Sequence, residues 1–511
     1  MSTTAAAARP FGGSIVLPGL LAGGAIIAGA VAGYVVAQQP ADLQVQVDFS
    51  WPGLALLAAA AVTVFVIIRH PTIGLAILAA LIYLNASEVL VREHGWPSFL
   101  QLLAIPLLLA AWADRQTPPL RDVLGLPLTR LLGLYVVVLL ASSVLARDQA
   151  LADDRFIEHL KMLVMFVTIV ALASARRRLP VLAWTMVAAG ALLAAIGVFQ
   201  ALTGGFANEF GGFGRIKYAQ IYGTVFEPRI AGPLGDPNFF AQILLVLVPV
   251  ALALATWERT AWRRVLGYAA AAILVGGTAL TYSRGGALAL ALVAGLSLVD
   301  RKHGWRDLGA GVLLLAMLAL LLPDNFMRRV TTLDQLISRP EQTLRPDSSF
   351  EKRKLLVSTA WRMFLDHPVA GVGAGNYTTR FEDYADEVGF AARDYDDPAE
   401  RHYPHNLYLE VGAETGVIGL IVFGAVCALA LGRLVRARES FHRQGEELSA
   451  GIVRGFAIAL LGYLVSSIFL HGHFLRYLWL LFAAAAAAHL AAREREPADA
   501  PRGRTGSGAR A

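Results

Sequence analysis

This chain of 511 residues holds a single cysteine, Cys427, and it lies inside an apolar run. An internal disulfide is therefore impossible, and a metal site built on cysteine is excluded. Charge is sparse as well: 16% of the residues are Asp, Glu, Lys or Arg, against 56% that are hydrophobic. Mean hydropathy is +0.56. No soluble protein of this length needs so much apolar surface, so the chain reads as an all-α polytopic membrane protein. It also lacks a repeat of fixed period and a phosphate-binding loop. The glycine-rich turn Gly371-Val-Gly-Ala-Gly-Asn376 has no Lys-Ser/Thr after it. The net charge of +6 does not mark a nucleic-acid binder. Most basic residues sit in short loops between apolar runs, which is the signal of membrane topology.

Apolar runs near 14–37, 52–68, 71–85, 98–113, 127–145, 158–174, 180–202, 238–256, 265–282, 284–299, 308–322, 405–432, 451–470 and 474–492 predict about fourteen spans. The first, Ser14 to Ala37, is longer than a signal-peptide core and reads as an uncleaved span. Arginines set the orientation. Arg176, Arg177 and Arg178 share one short loop, and Arg259, Arg263 and Arg264 another. Arg301, Lys302 and Arg306 lie in a third, and Arg433, Arg436, Arg438 and Arg443 in a fourth. Fourteen spans put all four loops on one side with both termini, and that side is expected to be cytoplasmic.

The expected organisation is a set of N-terminal spans over 1–202, an external loop over 203–237 and spans over 238–322. A large external loop over 323–404, C-terminal spans over 405–492 and a disordered tail over 493–511 complete it. In the large loop, Phe350 to Phe364 reads as an amphipathic helix lying on the membrane, ended at Asp366-His367-Pro368 by the proline.

Three polar constellations fall where external loops meet spans. The first is Glu227-Pro-Arg229 with the downstream Gly-Asp-Pro-Asn238, the second Thr281-Tyr282-Ser283-Arg284-Gly-Gly286, and the third His405-Asn406. Arginine is permanently charged and its planar fork grips phosphate in bidentate fashion. Arg229 and Arg284 at this depth suit a pyrophosphate whose lipid tail lies in the bilayer. Either arginine alone could instead be positioning a helix end or snorkelling to headgroups. A histidine at the mouth of a span can take a proton from an attacking hydroxyl, or it can cap and anchor the helix. On an ideal helix Gly412, Gly416 and Gly419 fall within roughly 40° of His405, a side-chain-free groove for a helix or lipid chain. Glu414 lies about 13 Å deeper and on the far face, where it is expected to pair with another polar group. His471-Gly-His473 has no third ligand in sight for a metal, and Asp153-Asp154 and Asp396-Asp397 read as solvated loop charges.

His405-Asn406, nine residues, Gly416, two residues, Gly419 resembles the signature of the O-antigen ligase and polymerase superfamily. In the same order come Arg229 with Gly-Asp-Pro-Asn238, Ser283-Arg284-Gly285, Arg353 ahead of Trp361, and the His367-Pro368 to Asn376 turn. The resemblance covers about 225 to 430. It implies a GT-C-like glycosyltransferase of the bacterial inner membrane, multi-pass, with its active site facing the periplasm. Such enzymes move a glycan from undecaprenyl pyrophosphate to an acceptor, with no cofactor and no metal. Carried over by position, Arg229 and Arg284 would hold the pyrophosphate and His405 would orient or deprotonate the acceptor hydroxyl. Arg353 would contact donor or acceptor, with Asn406, Asn238 and Tyr282 as further substrate-binding residues. The displacement would invert the anomeric centre. The implied partners are the lipid-linked glycan, membrane lipid, and an acceptor that is either lipid A core or a growing polysaccharide. Ligase, polymerase and protein glycosyltransferase stay open, and a flippase is the alternative from another class. Members commonly carry about twelve spans, against about fourteen here.

Overall fold

The structure, a computed structural model, describes residues 61–222, 225–298, 348–385, 387, 402–472 and 475–493. Helices dominate it, because a segment in lipid must satisfy its backbone groups internally. Ala61–Arg69 (α1) is bent by 116° from Pro71–Tyr83 (α2). Pro71 has no N–H to continue the hydrogen bonds of α1 and instead opens a new helix. Then follow α3 (Ala86–His94), α4 (Phe99–Ala113), α5 (Leu120–Leu124), α6 (Pro127–Ser143), α7 (Gln149–Ala173) and α8 (Leu179–Thr203). A hairpin of β1 (Ile216–Tyr222) and β2 (Val225–Ile230) leads to α9 (Pro237–Leu245), α10 (Val248–Trp257), α11 (Ala261–Leu280) and α12 (Arg284–Leu298). The remainder holds α13 (Ser348–Asp366), α14 (Tyr377–Ala385), α15 (Leu407–Arg443), α16 (Glu447–Ser466) and α17 (Arg476–Arg493).

Among the described residues, Gln149–Ala173, Arg176–Thr203, Pro237–Trp257, Leu407–Arg443 and Glu447–Ser466 are long and apolar enough to cross a membrane, and α1 with α2 makes a bent sixth. The protein is an all-α polytopic membrane protein. The expected spans at 14–37 and 308–322, most of that at 52–68, and the tail from 494 lie outside the described residues. One helix begins earlier than the apolar run implied. Asp153 and Asp154 are not in a loop but exposed on the first turns of α7, which Asp148 caps by accepting from Leu151 N.

The centre of the bundle is α15, α16 and α17, with α6 against α15, α7 against α17, α10 and α12 against α16, and α11 against α8. Tyr477 to Ala488 of α17 is buried throughout, and six consecutive alanines from Ala483 to Ala488 let neighbouring backbones approach closely. The amphipathic helix is present as α13. Its Leu356, Ala360 and Met363 pack with Val372, Tyr377 and Phe381, while Trp361 is half exposed.

Contacts sort the loops to two ends of the bundle. At one end Arg176 bonds to Glu446, Trp184 Nε1 donates to Glu258 (2.8 Å), and Arg178 pairs with Asp114 (2.6 Å). Arg433, Arg436, Arg438 and Arg443, expected in a loop, stand on the last turns of α15 at this same end, and the expected 301–306 loop lies outside the described residues. At the other end the hairpin, the start of α12, the start of α15 and the 467–472 loop meet.

The side-chain-free groove expected over 405–419 does not form. His405 lies outside the helix, and α15 is kinked at Gly416, where φ is 65° and ψ is −166°. The Pro368–Gly373 turn enters this kink as if it were a strand. Val417 N donates to Pro368 O (2.7 Å), Val372 N to Ala413 O (2.8 Å) and Gly373 N to Glu414 O (3.1 Å). A Cβ on Gly416 would lie 2.2 Å from Val369 O, and one on Gly371 (φ +70°) 2.2 Å from the Glu414 carbonyl carbon. Gly416 and Gly371 serve a crossing of two backbones, while Gly412 faces the Phe364 ring of α13.

Candidate active site

The polar end is built from four chain segments. Arg229 stands on β2 opposite Lys217 of β1. Like charges directly across a ladder repel. Lys217 is partly answered by Asp236, whose Oδ2 lies 3.9 Å from its Nζ. The Arg229 guanidinium is aimed by neutral acceptors: Nε donates to Thr281 O (2.8 Å) and Nη2 to Asn238 Oδ1 (3.4 Å). These bonds help to fix its orientation. Asn238 is placed by the cap of α9, where Asp236 accepts from Asn238 N (2.7 Å) and Phe239 N (3.2 Å).

The turn that receives Arg229 also carries Tyr282 and Arg284. Thr281 ends α11, and Ser283 Oγ accepts from Gly286 N (3.2 Å) to cap α12, whose first residue is Arg284. Between them Tyr282 is buried and has φ +52°. A left-handed conformation at a tyrosine costs on the order of 1–3 kcal/mol and persists only where the surroundings enforce it. The turn is thereby tight enough to set Arg284 three residues after the carbonyl that holds Arg229.

His405 is the second such residue, with φ +47°. Asn406 behind it uses both ends of its carboxamide on the backbone. Oδ1 accepts from Tyr408 N and Leu409 N (3.0 Å each) as the cap of α15, and Nδ2 donates to Ile468 O (3.1 Å). His405 is therefore held at the mouth of α15 by its neighbour. Its Nδ1 is buried and takes no hydrogen bond among the described residues. Burial first, then the charges of His471 and Arg353, push its pKa down to about 3, with Asp236 opposing and Lys217 adding to the shift. The same interactions bring Arg353 of α13, Asp236 and Lys217 into the electrostatic field of His405. The site thus unites Arg229, Asn238, Tyr282, Arg284, His405 and Asn406 at one end of the bundle, with Arg353 facing it.

Residues 269–424 match the family model described as O-Antigen ligase. The match covers less than a third of the chain. The matched stretch contains Tyr282, Arg284, Arg353, His405 and Asn406, while Arg229 and Asn238 lie upstream of it. A stretch of 161 residues is 28% identical to the O-antigen ligase of Salmonella typhimurium (strain LT2), over 29% of this chain and 35% of that protein. The chain thus aligns with about a third of the length of that relative.

His471 was missed by the sequence reading, which weighed His471-Gly-His473 only as a metal motif. Its ring lies 5.2 Å from that of His405, and His473 lies outside the described residues. Tyr403 and Phe239 also border the site and carried no signal beyond their place beside the motifs. Among the described residues no group of three His, Cys, Asp or Glu could hold a metal.

Proposed function

We propose that the protein transfers a glycan from undecaprenyl pyrophosphate to a hydroxyl of lipid A core, on the periplasmic face of the bacterial inner membrane. The observation that carries this reading is the convergence of Arg229, Arg284 and His405 at one end of the bundle that carries the O-antigen ligase match. The arginine clusters among the described residues, at 176–178, 259–264 and 433–443, gather at the opposite end, which suits the cytoplasm.

In this reading the two arginines take up the pyrophosphate, and their charge counters the negative charge that grows on it as the bond to sugar breaks. The like-charged pair Lys217 and Arg229 is relieved by the same anion. The acceptor oxygen attacks C1 of the donor sugar, the C1–O bond to phosphate breaks, and undecaprenyl pyrophosphate leaves with the electron pair. The hydroxyl proton passes to His405. One displacement inverts the anomeric centre, and the arginines supply the positive charge without a metal. With Nδ1 enclosed, Nε2 is the nitrogen left to meet the hydroxyl.

A pKa near 3 makes the empty-site imidazole neutral but a weak base. A bound pyrophosphate puts negative charge beside it and raises its proton affinity, so the base gains strength when the donor is in place. Asn406, Asn238 and Tyr282 hold this geometry, and Arg353 meets the donor or acceptor.

The test is mass analysis of lipid-linked glycans in a deletion strain. A ligase leaves long undecaprenyl-linked chains and unmodified lipid A core. Accumulation of single repeats would instead identify a polymerase, and an unchanged lipid-linked pool on the periplasmic side would remove the transferase reading.

A further inference from the structure

The 467–472 loop is pinned at every turn. From α9, Gln242 Nε2 donates to Ser466 Oγ and Ser467 Oγ (2.9 Å each). From α15, Leu407 N donates to Ser467 O (3.0 Å) and Asn406 Nδ2 to Ile468 O (3.1 Å). Last, Gly472 N donates to Glu410 Oε2 at 2.5 Å, and this carboxylate is buried one turn inside α15. A hydrogen bond to a buried carboxylate is charge-assisted and roughly twice as strong as a neutral one.

The residue so fixed is His471. Tyr403 stacks on it at 4.3 Å with an interplanar angle of 5°. Phe239 meets it edge-on at 5.0 Å and 82°, and His405 at 5.2 Å and 80°. Three rings and a tethered backbone define its plane. Its perpendicular contact with His405 leaves that ring little freedom to turn.

We propose that His471 is a positioning residue for His405, and that Glu410 positions His471 through the Gly472 N–H. The catalytic part of this inference rests on the glycosyl-transfer reading above; the geometric part does not. His405 must point one nitrogen at the acceptor from a strained backbone, and the ring beside it removes the alternative rotamers. The titratable and charged groups facing His405 are His471, Arg353, Asp236 and Lys217. Removing His471 opens the site to water and relieves the burial that is the largest cause of the His405 shift, so His405 should titrate at higher pH.

The experiment uses the full-length protein in lipid nanodiscs with isotope-labelled histidine, the His405 signal being assigned by its loss in His405→Ala. In His471→Ala, the His405 titration should move up by about 1 unit or more and its ring signal should broaden. Turnover should fall roughly 10²-fold, with affinity for undecaprenyl pyrophosphate, used as the probe, unchanged. His471→Phe keeps a ring stacked on Tyr403 and should recover most of the turnover and the sharp signal. Glu410→Gln, still an acceptor for Gly472 N but through a weaker neutral bond, should fall between wild type and Glu410→Ala, and Glu410→Ala should resemble His471→Ala. A His471→Ala protein with wild-type turnover and an unmoved His405 signal would overturn the proposal, as would a His471→Phe protein as poor as the alanine variant. If wild type transfers no glycan while the His405 signal responds as described, the transferase reading fails and the positioning role stands.

Discussion

Replacing Gly416 with alanine tests the crossing on which the site is built. At φ 65° and ψ −166° the residue occupies a region that is essentially glycine-only, and forcing alanine there costs about 1–3 kcal/mol. The new Cβ would also lie 2.2 Å from Val369 O and 2.6 Å from Ala370 N, both backbone atoms that cannot rotate away. The two chains must separate, which strains the hydrogen bonds Val417 N to Pro368 O, Val372 N to Ala413 O and Gly373 N to Glu414 O. At about 0.5–1.5 kcal/mol net for each bond, their loss adds roughly 1.5–4.5 kcal/mol. The sum is on the order of 3–7 kcal/mol, a large share of the 5–15 kcal/mol that typically holds a domain together. Scaled by the unfolding entropy of globular chains of this length, that is a fall in Tm of roughly 3–7 °C. Gly424 and Gly432 of the same helix are the controls, since a Cβ at either meets nothing within 4 Å. Gly424→Ala and Gly432→Ala should be neutral or stabilising by about 0.5–1 kcal/mol. Thermal unfolding of detergent-purified protein, followed by loss of the monodisperse peak, reads all three. A Gly416→Ala protein that melts with the two controls would refute the reasoning.

Arg284→Lys should lose roughly 10²-fold or more in transfer although charge is kept, because one ammonium cannot reproduce a bidentate grip; initial rates with lipid-linked glycan check it. Arg229→Lys should behave likewise, since lysine also cannot keep the bond from Nε to Thr281 O while reaching the anion. At the other end of the bundle, Asp114 is pushed up by burial but held lower overall by hydrogen bonds from Arg178, Thr117 and Gln116 N and by the Arg178 charge. Its folded pKa thus lies below its unfolded one, so its stabilising contribution is present above the unfolded value and is lost as pH falls through the folded value. Arg178→Ala should destabilise by about 3–5 kcal/mol and flatten the acid limb of a Tm-versus-pH curve. Single cysteines at Ser348 and Ser440, with the native Cys427 buried, should label from opposite sides of the membrane; labelling of both from one side would contradict the orientation.

The apolar runs made most of the fold legible, because a segment in lipid has few options but a helix. α4, α8, α11 and α16 sit close to their expected bounds. What hydropathy could not supply is the crossing at Gly416. A run of small apolar residues looks the same whether the helix is straight or parted to admit another chain, and only the positive φ distinguishes them. The hairpin over 216–230 escaped for a similar reason. Its strands are short, and the cross-strand pairing of Lys217 with Arg229 exists only once the chain has turned. In the site, Arg229, Arg284 and His405 stood out because a charged or titratable group at a span end needs a reason. Asn406 stood out only as the neighbour of His405 in the His-Asn pair, and its carboxamide turns to the backbone. His471 was visible in the sequence but without a partner, since the ring it meets lies 66 residues away in the chain.

The most direct test of the account is transfer by purified protein in lipid, with undecaprenyl-pyrophosphate glycan as donor and lipid A core as acceptor. The rate is measured per folded molecule for wild type and for His405→Ala, with donor affinity alongside. The account predicts transfer by wild type and a loss of roughly 10²–10⁴-fold in the variant, with donor binding and Tm little changed. A His405→Ala protein that keeps its rate but melts earlier would contradict it and leave the histidine a structural residue ahead of α15.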